Sequence, residues 1–215
     1  PEQTPTSFRY LRPWVHHGWE MVLIAALLQE SDGPLQRLGV DAFATDYDQQ
    51  LRAGLDRFGW HSSQLQDALE RVRRQAVSDD RAGWVALHRP FDGVPERLSR
   101  LDDEGVAWSV LTTKGRDFTA ELLEAFQLRP IRLDGRESGP KPEVLLRLRR
   151  EWALKGFVED RRATLEVVIE TPGLAGLKCF LADWGYLRPA DREGLPEGLD
   201  LLSTSDFEAP LAIWP

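Results

Sequence analysis

The sequence predicts an α/β fold: a Rossmann-like parallel sheet preceded by an all-helical half. Three observations lead there. From about residue 92 short apolar runs alternate with amphipathic stretches of about 10 to 15 residues, the pattern of successive βαβ units. Runs such as Val110-Leu111 and Phe180-Leu181 are continuous rather than alternating, as in strands covered on both faces. Residues 14 to 86 keep helical spacing and offer no convincing strand. The expected organisation is a helical subdomain over residues 1–87 and a sheet domain over residues 88–215.

The elements follow in order. "WVHHGWEMVLIAALLQ" has the apolar density of a helix packed on two sides. "YDQQLRAGLDRFGW" places Leu51, Leu55 and Phe58 on one stripe. "HSSQLQDALERVRRQAV" repeats that spacing at Leu65, Leu69 and Val72, with Ser63 as the expected N-cap. "GVPERLSRLDDEG" is a helix opened by Pro95 and ended near Gly105. Then "VAWSVLTT" reads as strand, "RDFTAELLEAFQL" as helix and "PIRL" as a short strand. "KPEVLLRLRREWAL" is a helix, "GFVED" a strand, "RRATLEVVIE" a helix and "LKCFLADW" a strand. "LDLLSTSDF" closes with a weak strand and a polar turn.

Composition narrows the functional classes. The chain has 215 residues, and 27 basic against 35 acidic ones give a net charge of −8. Phosphate backbones are bound through clustered Lys and Arg, so no nucleic-acid partner is expected. The single cysteine, Cys179, excludes an internal disulfide and a cysteine zinc site, and a reducing cytoplasm is the expected compartment. The longest apolar run, "MVLIAALL", falls far short of the ~20 residues of a membrane span.

In open parallel sheets ligands bind at the carboxyl ends of the strands. Those ends carry Thr112, Thr113 and Lys114 after one strand, Glu159, Asp160 and Arg161 after another, and Asp183 after a third. Lys141 stands at the mouth of a helix, with Pro142 in its first turn. A threonine hydroxyl with neighbouring backbone N–H groups can cradle a phosphate, and a lysine can neutralise one. Adjacent carboxylates such as Glu159 and Asp160 can hold Mg²⁺. Taken singly, each residue has a plainer reading: a turn threonine, a solvated helix end, an N-cap pair.

Their order adds weight. Lys141 lies 29 residues after Thr112, and Asp160 a further 19 on. With these residues "PFDGVPERLSRLDDEGVAWSVLTTKGRDFTAELLEAF", "GPKPEVLLRL" and "GFVEDRRATLEVV" resemble the second, third and fourth motifs of the haloacid-dehalogenase-like (HAD-like) hydrolases. The resemblance covers roughly residues 88 to 205, and the phosphoglycolate-phosphatase-like branch is the most similar in layout. It implies a Mg²⁺-dependent phosphatase acting on a small phosphorylated metabolite through an aspartyl-phosphate. Thr112 and Lys141 would be catalytic, Thr113 and Lys114 would bind substrate, and Glu159 and Asp160 would lie on the metal side. The helical half would be the cap, with Arg12 and His16 as its candidate substrate contacts. His17 and Glu20 lie in the same stretch, but adjacent histidines on a helix cannot share a face. A monomer or homodimer is expected.

One motif of the family is missing. Its first strand, ending in Asp-x-Asp with the nucleophile, has no counterpart ahead of Trp14. Asp46-Tyr47-Asp48 follows no strand and reads as a helix N-cap, and Asp41 is equally plain. Without that central strand, those after Val106 and Gly156 would be left with unpaired backbone edges. The chain also starts with Pro1 rather than Met. The expectation is therefore an N-terminally truncated piece of a longer hydrolase. The alternatives are an inactive HAD-like binding module, or a haloacid dehalogenase. Another Rossmann-like transferase or dehydrogenase is disfavoured, because no Gly-x-Gly-x-x-Gly follows a strand.

Overall fold

The computed structural model describes residues 4–215. The segment ahead of Trp14, read above for a missing strand, includes residues 1–3, which lie outside the described residues. The chain divides into two compact units, Pro1–Trp84 and Val85–Pro215.

The first unit is helical. It comprises α1 (Thr6–Leu11), α2 (Gly18–Gln29), α3 (Pro34–Leu38), α4 (Val40–Thr45), α5 (Tyr47–Phe58) and most of α6 (Ser62–Ala86). Leu11, Leu23, Ile24, Leu27, Phe43 and Leu51 form its buried core, with Leu55 and Phe58 packed against it. The apolar stripe read on α5 is therefore real. The stripe read on α6 ends early: Leu65 is buried, but Val72 is 63% exposed. Ser63 is not the N-cap either. The helix already starts at Ser62, and the Leu65 amide donates to the His61 carbonyl. Further along, α6 breaks at Asp80 (φ −152°, ψ 84°), whose Oδ1 accepts the Gly83 amide at 2.8 Å. Asp80 thus caps a fresh helical segment, a local competition with the helix that Asp side chains offer.

The second unit is the α/β body. It runs α7 (Val94–Asp103), β1 (Ser109–Leu111), α8 (Arg116–Ala125), β2 (Arg132–Asp134) and α9 (Lys141–Glu151). Then come β3 (Gly156–Glu159), α10 (Arg162–Glu170), β4 (Lys178–Ala182), β5 (Leu199–Leu202) and α11 (Thr204–Glu208). The final helix replaces the polar turn read from "STSDF". Ser203 Oγ accepts the Asp206 amide at 3.1 Å while Asp206 Oδ2 accepts the Ser203 amide at 3.3 Å, a reciprocal capping box.

All strand pairs are parallel, and among the described residues they form two sheets, β1-β2 and β3-β4-β5. Phe157 pairs with Cys179 and Cys179 with Leu199, so β4 is paired on both edges. By contrast β1 and β3 each have a strand partner on one edge only. Both border one apolar core: Leu111 of β1 packs into the cluster of Val144, Leu148, Phe157, Leu165, Val168 and Leu181. Helices α9 and α10 supply much of that cluster from positions three or four apart, as buried helix faces do. Gly156 is glycine for a steric reason: a Cβ there would stand 2.8 Å from the Phe180 ring.

Candidate functional site

The turn after β1 is built by short-range hydrogen bonds. The Thr112 amide donates to the Asp134 carbonyl at 3.0 Å, and Thr112 Oγ1 accepts the Lys114 amide at 3.1 Å. The Arg136 amide in turn reaches the Lys114 carbonyl at 3.0 Å, which ties this turn to the end of β2. The first N–H of α8, on Arg116, donates to Glu137 Oε2 at 3.1 Å. Gly135 allows that approach, since a Cβ there would lie 2.5 Å from the Arg116 nitrogen. Thr113 is exposed, whereas Thr112 and Lys114 are half-buried.

Lys141 is the first residue of α9, with Pro140 at the cap position. A cation here opposes the helix dipole, and a specific partner offsets the cost. Lys141 Nζ meets Glu159 Oε2 at 2.5 Å, with 13% and 12% of the two side chains exposed. The ammonium also lies 6.0 Å from the centre of the Phe157 ring, within cation–π range. Burial pushes Glu159 above the usual carboxylate range, and Lys141 opposes that shift without cancelling it. The residue at the helix mouth and the one at the strand end are thus a nearly dry ion pair.

Asp160 does not cap the helix that follows. The cap position of α10 belongs to Arg161, which makes no side-chain cap bond. Asp160 Oδ2 instead accepts the Tyr186 amide at 3.2 Å from the loop after β4. Gly185 makes room for it, because a Cβ there would overlap the Asp160 side chain. The Tyr186 ring in turn meets Phe91 edge-on at 5.9 Å. Asp183, also at the end of β4, is taken by Arg192 Nε at 2.5 Å.

The structure therefore joins Lys141 to Glu159 and anchors Asp160 beside them in sequence, while Thr112, Thr113 and Lys114 share a turn locked to β2. Arg12 and His16 belong to the helical unit. There the buried Glu20 accepts the His16 amide at 2.8 Å, the His17 amide at 3.0 Å and the Tyr47 hydroxyl at 2.9 Å. Glu20 thus ties the start of α2 to α5 as a hydrogen-bonded buried carboxylate. Burial, followed by the Glu20 charge, raises the Tyr47 hydroxyl far above its ordinary range. Asp46 holds the cap position of α5 without a side-chain cap bond, and Asp41 lies in the first turn of α4.

Among the described residues no group of three His, Cys, Asp or Glu side chains converges as a metal centre. Mg²⁺ needs only one or two protein carboxylates, its other positions going to water and phosphate. Asp160 fits such a role. Glu159 is committed to Lys141 instead.

The geometry defines an α/β protein with a Lys–carboxylate pair and an anchored aspartate at the strand ends. Compared with known proteins, the chain is 26% identical over 133 residues to the N-acetylmuramic acid 6-phosphate phosphatase of Pseudomonas aeruginosa. The aligned region is 57% of this chain and 57% of that protein, so the chain spans little over half of the relative it matches. No family model and no solved structure matches. The similarity is thus partial, and it is to a phosphatase. No helix of the described residues is long and apolar enough to cross a membrane.

Proposed function

We propose that this chain is the body of a Mg²⁺-dependent HAD-like phosphatase for a small phosphorylated metabolite, whose nucleophilic aspartate lies on a further strand outside these residues. The observation that carries the proposal is the divided sheet. Two parallel sheets border one apolar core, and among the described residues β1 and β3 each lack a partner on one edge. Unpaired backbone groups at such edges are costly wherever water is excluded, about 1–3 kcal/mol each. In this reading the further strand lies between β1 and β3, pairs with both, and ends beside Thr112 and Glu159. That is where an aspartate nucleophile is needed.

In this reading the Thr112 hydroxyl, which accepts the Lys114 amide and can donate its own hydrogen, holds a phosphoryl oxygen, with Thr113 and Lys114 beside it. Lys141 neutralises charge on the transferring group. Its partner Glu159 fixes the ammonium at the strand end. Asp160, oriented by the Tyr186 amide, would hold the cation, which offsets the repulsion between the phosphate and an incoming carboxylate. The partial similarity to a phosphatase supports the phosphatase reading. Arg12 and His16 stay proposed substrate contacts, and the helical unit a proposed cap.

Determining the start of the native protein, by intact mass and by reading the frame upstream of Pro1, tests the proposal. It requires an apolar strand ending in Asp-x-Asp ahead of the helical unit. A native protein without that strand would remove the nucleophile and leave an inactive HAD-like binding module.

A further inference from the structure

Arg161 stands out once its neighbours are accounted for. In the tripeptide after β3, Glu159 is held by Lys141 and Asp160 by the Tyr186 amide. Arg161 Nε is buried and has no hydrogen-bond partner, the single side-chain nitrogen or oxygen of this kind among the described residues. Other arginines of this unit show the contrast. Arg97, Arg149 and Arg162 all spend their guanidinium on carbonyls or carboxylates. A buried N–H left unpaired is a standing cost in a folded protein, and persistent exceptions ask for a missing partner. A guanidinium nitrogen can only donate, so the missing partner is an acceptor oxygen. Arg161 lies close enough to act on Glu159, as does the adjoining Asp160.

We infer that Arg161 is a positioning residue that takes an oxyanion of the bound ligand through its Nε edge. A guanidinium offers two parallel N–H groups to a carboxylate or phosphoryl group, which fixes orientation as well as charge. The inference rests on the phosphatase reading and deepens it. Lys141 meets the transferring phosphoryl group as a point charge, and Arg161 decides how the ligand lies.

Calorimetric titration of the full native protein tests this, with inorganic phosphate, glycerol 3-phosphate and 3-phosphoglycerate as probes. The variants are Arg161→Gln, Arg161→Lys and Lys141→Ala. Weakening of all three probes by about tenfold or more in Arg161→Gln means that the oxyanion is the phosphoryl group. Weakening confined to 3-phosphoglycerate means that it is a carboxylate. Either result supports the inference, and Arg161→Lys, which keeps the charge but loses the fork, must show the same selectivity. Unchanged affinities in both Arg161 variants overturn it, even where melting temperature shifts. If Lys141→Ala then still abolishes phosphate binding, the phosphatase reading survives alone. A wild-type protein that binds none of the probes removes both.

Discussion

Glu159 sits under two opposed influences, and its pH response tells which prevails. Burial raises its pKa, Lys141 lowers it, and the balance stays above the ordinary value. A carboxyl group that binds its proton more tightly when folded adds stability fully below its unfolded pKa, about 4.3, and loses it as pH rises through the raised value. Urea unfolding across that window should therefore show wild type losing stability relative to Glu159→Gln as pH increases; a flat or rising difference would contradict the burial of this group. Lys141→Ala leaves Glu159 buried without its cation and should cost about 1–3 kcal/mol, limited by the ease with which Glu159 then takes a proton. At this scale the sequence was a good guide to identity and a poor one to partnership. Lys141 stood out because a lysine at a helix mouth conflicts with the dipole. That its partner would be Glu159, 18 residues away, depends on the approach of α9 to β3, which no local pattern records.

Among the elements, α7 and α11 are joined by a residue that reads as ordinary helix surface. Arg97 is completely buried: its Nε donates to the Phe207 carbonyl at 2.7 Å, and its Nη atoms grip Glu104 at 2.6 and 3.1 Å. The Arg97 hydrogen bonds hold Glu104 below its usual range, helped by the Leu211 amide. Its contribution is thus present above the unfolded carboxylate pKa and lost as pH falls through the depressed value. Arg97→Ala should destabilise the second unit by about 3 kcal/mol and loosen the segment from Phe207 onward, which hydrogen exchange would resolve. A loss below about 1 kcal/mol would mean that the buried guanidinium has little value. In the loop after β4, Gly185→Ala forces Asp160 aside. It should cost about 1–3 kcal/mol and weaken any Mg²⁺ affinity, as read by titration of the cation. Helices and strands were legible here because their apolar spacing is local. Caps were less so, since Ser63 and Ser203 look alike in sequence, and only Ser203 has an acidic residue three positions on to return its hydrogen bond.

For the whole molecule, the α/β order was readable from alternation alone, and the parallel pairing follows from the length of the crossovers. What alternation could not show is how the strands divide. The break between β1 and β3 was anticipated only through the absent Asp-x-Asp strand, because sheet order is a long-range property. Cys179 reports on that sheet. It is fully buried in β4, between β3 and β5, and burial pushes its thiol up to about 11. At pH 8 a thiol reagent should therefore leave native protein unmodified and label one thiol per chain after unfolding. Fast labelling of the native state would mean that the three-stranded sheet opens readily. The account stands most directly on phosphate release by the full native protein from a panel of small phosphomonoesters. It predicts release that needs Mg²⁺, stops with a chelator and is lost in Lys141→Ala. No release from any of them, with the strand and its aspartate present and Mg²⁺ supplied, would contradict it.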